Sequence, residues 1–292
     1  SFEADRNVFV LNNFGIIGYI DGYKEIPFEL RVLHSKDTYG ATALDKKILN
    51  DSLDLYIAAD YHFLVDGPIM YNQPDTLTKN IAGAEILISV HSPQKVVSSY
   101  DIMENIENLM VAQSNYLGGT LPIKKYAYLI YLMDYPSLSK GMGALEHSYS
   151  SFYTLPESVA DQLPQFVRDV AAHEFFHIIT PLSIHSEQIH NFNYINPEMS
   201  QHLWLYEGVT EYNSMHMQVH QGLYDNETFL EKVQEKITNA SAYPLVSFTE
   251  MSQKILDPAF KDMYRNVYEK GALIGMCLDL ALIKYSEDTL NL

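Results

Sequence analysis

Residues 173–177 read His-Glu-Phe-Phe-His, and no other segment constrains the chain as tightly. Positions i and i+4 of an α-helix share a face, so His173 and His177 can hold one metal ion together if the residues around them are helical. The neighbours agree. Phe166, Val170, His173 and His177 recur at helical spacing, Pro164 suits a first helical turn, and Pro181 suits a stop. Glu174 lies beside the histidine pair, placed to take a proton from a water that zinc has acidified. With 11 histidines in 292 residues, such a pentapeptide arises by chance in roughly one chain in forty. Further ligands are needed to make it a site.

A catalytic zinc takes a third protein ligand and keeps a fourth position open. The segment LWLYEGVTEY places Glu207 30 positions after His177, and Glu211 one helical turn further. By itself Glu207 would read as a solvated helix carboxylate; beside an HExxH helix it is the expected third ligand. Two readings stay open for Glu211. It can accept the distal N–H of a ligating histidine, or it can be one of an exposed acid pair at i, i+4.

The rest of the sequence narrows the class. A net charge of −18 argues against phosphate-backbone contacts, and so against a nucleic-acid partner. No uncharged apolar run approaches the ~18–20 residues of a membrane span. The single cysteine excludes an intrachain disulfide framework; Cys277, within GALIGMCLDLALI, reads as a core thiol. His216 and His220 are also spaced i, i+4, but no glutamate follows His216, so they read as helix-surface histidines. His185, His190 and His202 read as loop or packing residues.

Residues 1 to about 66 alternate short apolar runs with turns. Val8–Leu11 and Phe28–Leu33 read as strands, and Asp21-Gly22 as a turn. Asp66-Gly67-Pro68 is the expected join between a domain at 1–66 and one at 67–292. Beyond it, Glu85–Val90 and the charge-free run Tyr126–Met133 read as strands, the latter buried on both faces. Ile102, Ile106, Leu109 and Met110 predict a helix over roughly 98–113. After about residue 155 the patterns are almost all helical, which makes the fold class α+β. The chain opens without an initiator Met, and both ends read as truncated.

HEFFH followed by LWLYEG resembles the gluzincin metallopeptidases, and the long spacer between them is most similar to the glycyl aminopeptidase family. Residues 15–33 resemble that family's N-terminal β-domain. The segment around 60–70 resembles its join to the catalytic domain, and Gly143-Ala144-Leu145-Glu146-His147 its GxLEH strand. The resemblance implies a partial β-domain followed by a thermolysin-like, mostly helical catalytic domain, with the family's C-terminal helices and PDZ domain absent. It implies one zinc ion on His173, His177 and Glu207, with Glu174 as general base. Tyr268, in Tyr268-Glu269-Lys270-Gly271-Ala272, is then the donor to the oxyanion, with Tyr264 as the alternative. Glu146 would anchor the free α-ammonium of a peptide, and the strand carrying Gly143 and Ala144 would pair with the peptide backbone. The implied activity is removal of N-terminal residues. A gluzincin endopeptidase and a catalytically silent zinc-binding module that recognises peptides are the competing readings. The residues carry no address; the resemblance implies a bacterial periplasm or cell surface.

Overall fold

A computed structural model describes residues 2–3, 7–134, 142–158 and 163–292. The chain divides into two compact units, Ser1–Phe175 and Phe176–Leu292. A β-rich region is followed by helices, as the alternation of patterns predicts.

The first unit contains β1 (Phe2–Glu3), β2 (Val8–Leu11), β3 (Phe28–Leu33), β4 (Tyr39–Ala41), β5 (Asp45–Asn50) and β6 (Leu53–Ala58). A short helix α1 (Tyr61–Val65) then precedes β7 (Ile69–Asn72), β8 (Thr76–Ile81) and β9 (Ala84–His91). Helix α2 (Ser99–Tyr116) is followed by β10 (Lys125–Met133), β11 (Gly143–His147) and β12 (Ser150–Pro156). The described strands form three sheets, ordered β1-β2-β7-β4, β3-β6-β5 and β11-β12-β10-β9-β8. β7 follows the Asp66-Gly67-Pro68 turn and pairs with β2 on one side and β4 on the other.

The five-stranded sheet is the platform of this unit. β10 is flanked by two parallel neighbours, β9 and β12, and is buried from Tyr126 to Met133. That burial is why its sequence is an unbroken uncharged run rather than an alternation. Alternate residues still separate by face. Ala127, Leu129 and Tyr131 join Val8, Met70 and Leu87 in a core between this sheet and the first. On the opposite face the Tyr128 hydroxyl donates to the Met110 sulfur of α2 at 3.0 Å. Helix α2 starts in a reciprocal cap. The Ser98 side chain accepts from the Asp101 N–H while the Asp101 carboxylate accepts from the Ser98 N–H. Its predicted apolar stripe, Ile102, Ile106, Leu109 and Met110, is fully buried. β11 pairs antiparallel with β12 and, among the described residues, has no strand on its other side, so it stands at the edge of this sheet.

Helix α3 (Leu163–Phe176) lies on the face that α2 covers. Tyr126 packs on Phe175 with ring centroids 5.3 Å apart, and the Gln113 amide donates to the Ala172 carbonyl at 3.2 Å. The boundary between the two units falls at the end of this helix.

The second unit holds α4 (Glu187–His190), α5 (Leu203–His220), α6 (Asn226–Ala240), α7 (Phe248–Gln253) and α8 (Asn266–Tyr285). α5 and α8 meet backbone to backbone. A Cβ on Gly208 would fall 2.5 Å from the Gly271 carbonyl carbon, and one on Gly271 would fall 3.1 Å from the Trp204 oxygen. Only glycines allow that approach. We expect Gly208→Ala to force the helices apart and lose about 1–3 kcal/mol, as overpacked cores do. Gly18→Ala, with nothing within 4 Å of its added carbon, serves as the neutral control; equal denaturation midpoints for the two variants would refute this account of the crossing.

The same crossing corrects one expectation from the sequence. Cys277 is exposed, not a core thiol. α8 buries the row Val267, Gly271, Ala272, Gly275 and Asp279. Cys277 lies two residues from Gly275, about 200° round the helix, and so faces outward. Among the described residues no helix is long and apolar enough to cross a membrane.

Candidate metal centre

The core row of α3 is Val167, Ala171, Ala172 and Phe175, all fully buried. The row predicted from histidine spacing runs beside it. Phe166 is 41% exposed and Val170 half-buried, whereas His173 and Glu174 at the helix's C-terminal end are buried. Phe176 is the last helical residue, so His177 occupies the turn that follows. The backbone closes that turn through Ile179 N–H to the Phe176 carbonyl at 2.9 Å, before Pro181 is reached. From β10, the Tyr126 hydroxyl reaches the Glu174 carbonyl at 3.4 Å, giving one of the helix's terminal carbonyls a partner.

His177 is oriented from behind. Its Nδ1 lies 2.8 Å from the Thr180 carbonyl oxygen. A carbonyl can only accept, so Nδ1 carries the hydrogen and Nε2 is the nitrogen turned towards Glu207. That Nε2 stands 3.6 Å from Glu207 Oε2, with both side chains buried. The Thr180 and Thr210 hydroxyls, 3.2 Å apart, tie the His177 turn to α5. Glu207 is the fifth residue of α5 and immediately precedes Gly208 of the helix crossing.

His173, His177 and Glu207 form a buried group whose ligand atoms all lie within 4.8 Å of one another. A separation of 3.6 Å is too long for a hydrogen bond. It fits two ligands of one ion: bonds of 2.0–2.2 Å at a tetrahedral angle set their donors about 3.3–3.6 Å apart. Two imidazoles and one carboxylate also suit zinc chemically. Glu146 on β11 and Glu174 on α3 bring a carboxylate oxygen each within 4.8 Å of the other. Beneath them, burial pushes the phenols of Tyr126 and Tyr153 well above the usual tyrosine value, and the nearby Glu174 carboxylate raises both further. Both hydroxyls therefore stay protonated donors.

Gly143 and Ala144 lie on the edge strand β11, opposite Thr154 and Tyr153 of β12. Glu146 is half-buried, and its neighbour His147 points to the other face, where Nδ1 meets Asp66 Oδ1 at 2.9 Å. The second Asp66 oxygen accepts from the Ser148 N–H and hydroxyl at 2.7 and 2.8 Å. Asp66 therefore pins the turn between β11 and β12.

Tyr268 is the third residue of α8, half-buried against Met251, Ile255 and Val267. Its hydroxyl is 3.3 Å from that of Tyr264, so the two candidate donors are neighbours. Glu211, for which two roles stood open, receives the Lys236 ammonium at 2.6 Å. The discounted histidines are engaged with their own surroundings: His185 Nε2 with His190 Nδ1 at 3.2 Å, His202 against Tyr206, and His216 stacked on Tyr212.

Sequence reasoning missed Thr180, Asp66 and Lys236. Thr180 acts through a backbone carbonyl, which any residue supplies. Asp66 was read only as part of the join at 66–68, and Lys236 was not singled out. Their partners are 81 and 25 residues distant, and no local pattern marks such pairings.

Residues 166–274 match the family model of the M61 glycyl aminopeptidases, and residues 2–73 that of the peptidase M61 N-terminal domain. No curated protein matches the sequence. Among solved structures, the chain is similar to an aminopeptidase N family protein from Idiomarina loihiensis. The TM-score is 0.81 at 20% identity, over 98% of this chain and 51% of that one. It is also similar to a mutant of an M1 zinc metallopeptidase from Deinococcus radiodurans, with a TM-score of 0.52 at 14% identity over 89% of this chain and 54% of that one. The chain thus spans about half the length of these relatives. At such identities the structural likeness establishes the fold.

Proposed function

Since the chain resembles the M61 glycyl aminopeptidases in both its N-terminal and its helical segment, we propose that it carries the catalytic centre of a zinc-dependent aminopeptidase. The observation that carries this reading is the buried group of His173, His177 and Glu207, with the Glu174 and Glu146 carboxylates within 4.8 Å of each other beside it. When bound, zinc would supply Lewis-acid polarisation of the scissile carbonyl and would lower the pKa of a coordinated water towards about 7.

The remaining work belongs to side chains. His173, His177 and Glu207 would hold the ion, and the Thr180 carbonyl fixes the His177 tautomer that such ligation needs. Glu174 takes a proton from the attacking water and returns it to the departing amine, which leaves neutral. Tyr268 donates a hydrogen bond to the oxygen on which negative charge develops, an interaction worth about 3–4 kcal/mol when preorganised. Glu146 binds the α-ammonium by charge-assisted hydrogen bonding, while β11 at Gly143 and Ala144, at the edge of the sheet among the described residues, offers backbone pairing to the peptide. A carboxylate so close to the base leaves room for one residue before the scissile bond. That spacing favours an exopeptidase over an endopeptidase.

The test is a single peptide with its N-terminus free or acetylated, incubated with the zinc-loaded protein and with Glu174→Gln as the blank. Release of the first residue from the free peptide alone is expected. Internal cleavage of both peptides would replace the reading with an endopeptidase. Binding without cleavage would replace it with a zinc-holding recognition module.

A further inference from the structure

Helix α6 buries none of its residues completely, yet it sends one cation into the second unit. The Lys236 side chain is only 12% exposed, and its ammonium has three neighbours. It donates to Glu211 Oε1 at 2.6 Å and to the Tyr268 carbonyl oxygen at 3.1 Å, and it stands 4.0 Å from Glu269 Oε2. Glu211 lies one helical turn beyond Glu207 on α5. Tyr268 and Glu269 lie in the first turn of α8. A single buried ammonium therefore joins the helix that bears the proposed carboxylate ligand to the turn that bears the proposed oxyanion donor.

We propose that Lys236 is a positioning residue for Tyr268, setting where its hydroxyl stands relative to α5. This rests on the reading of Tyr268 as the oxyanion donor. First, the Tyr268 carbonyl is in the opening turn of α8, so a donor held at 3.1 Å fixes the peptide plane from which that side chain springs. Second, without the ammonium the Glu211 carboxylate loses its 2.6 Å partner across the two helices, and Glu269 is left with the largely exposed Arg265 guanidinium at 4.0 Å. Like charges at partly buried positions repel strongly enough to shift the end of a helix. The effect falls on the first turn of α8, which leads directly into the α5–α8 crossing at Gly208 and Gly271. An Arg at 236 retains the charge and a donor, whereas Met retains only the stem.

The experiment compares the zinc-loaded full chain with Lys236→Met, Lys236→Arg, Tyr268→Phe and the Lys236→Met/Tyr268→Phe double variant on the free-N-terminus peptide. Lys236→Met should lower kcat about tenfold with KM within about twofold, because a donor used only in the transition state is displaced. Zinc content should be unchanged, and Lys236→Arg should recover most of the rate. In the Tyr268→Phe background the further loss should shrink to under about twofold, the signature of action through Tyr268. An undiminished loss in that background, or a loss of zinc, would overturn the proposal. Hydrogen exchange supplies a readout free of catalysis: amides of residues 266–272 should exchange faster in Lys236→Met than in the wild type, and equal rates would overturn the proposal. If the wild-type chain cleaves nothing, the aminopeptidase reading fails, and exchange still decides whether Lys236 holds this turn. Should Lys236→Met not fold, Glu211→Gln, which removes the strongest partner of Lys236, carries the same comparisons.

Discussion

Replacing Glu174, the proposed general base, with Gln is expected to lower kcat/KM by about 10²–10⁴-fold, the range that a positioned base supplies, and to leave zinc content and unfolding midpoint unchanged. The separation of these readouts follows from the site. Glu174 is buried at the C-terminal end of α3, and its backbone carbonyl is held by Tyr126. An amide of the same shape keeps that backbone contact and preserves the packing. What it lacks is basicity, so proton transfer from the attacking water and to the leaving amine both suffer. Steady-state kinetics on the free peptide, together with metal analysis of the same sample, make the check. A variant with wild-type turnover would remove Glu174 from the mechanism, and one that also lost its metal would make it structural.

The second large effect is on metal affinity. Glu207→Ala is expected to weaken zinc binding by more than about 10²-fold, since even the outer partners of ligands cost 10–100-fold when lost. Glu207 supplies the carboxylate of the group, its Oε2 3.6 Å from His177 Nε2. The consequence reaches stability. An ion that binds only the folded chain adds about 4 kcal/mol when present at a thousand times its dissociation constant. The wild type should therefore melt at a clearly higher temperature in zinc than in chelator, and Glu207→Ala should show almost no such shift. Activity should disappear with the shift. If zinc leaves the wild-type transition unmoved, the buried group of His173, His177 and Glu207 is not a zinc site.

Much of the architecture was readable where local periodicity and burial coincide. The unbroken run Tyr126–Met133 is the central strand of the sheet, and the stripe Ile102, Ile106, Leu109 and Met110 is the buried face of α2. The turn at Asp21-Gly22 has Gly22 at a φ of +81°, a conformation open to glycine at little cost. The reading failed where an apolar pattern ran all round a helix. α8 has so many apolar residues that the sequence does not say which side is covered, and Cys277 was placed inward on that account. Glycine contacts chose the other side.

The sequence by itself singled out the candidate site residues and most of their local geometry. His173 and Glu174 lie in the last turn of α3 and His177 in the turn that follows it, so helical spacing brings the motif close to its local geometry. How close Glu207 comes to the histidines, which carbonyl orients His177, and which cation reaches the Tyr268 carbonyl were decided by tertiary structure. Glu207, Thr180 and Lys236 owe their places to the helix crossing at Gly208 and Gly271, to the turn after α3, and to the one lysine that α6 turns inward. The reason is physical. Periodicity fixes neighbours within a turn or a strand, whereas the partners of a buried charge are selected by packing over tens of residues, where low dielectric makes every unpaired group costly.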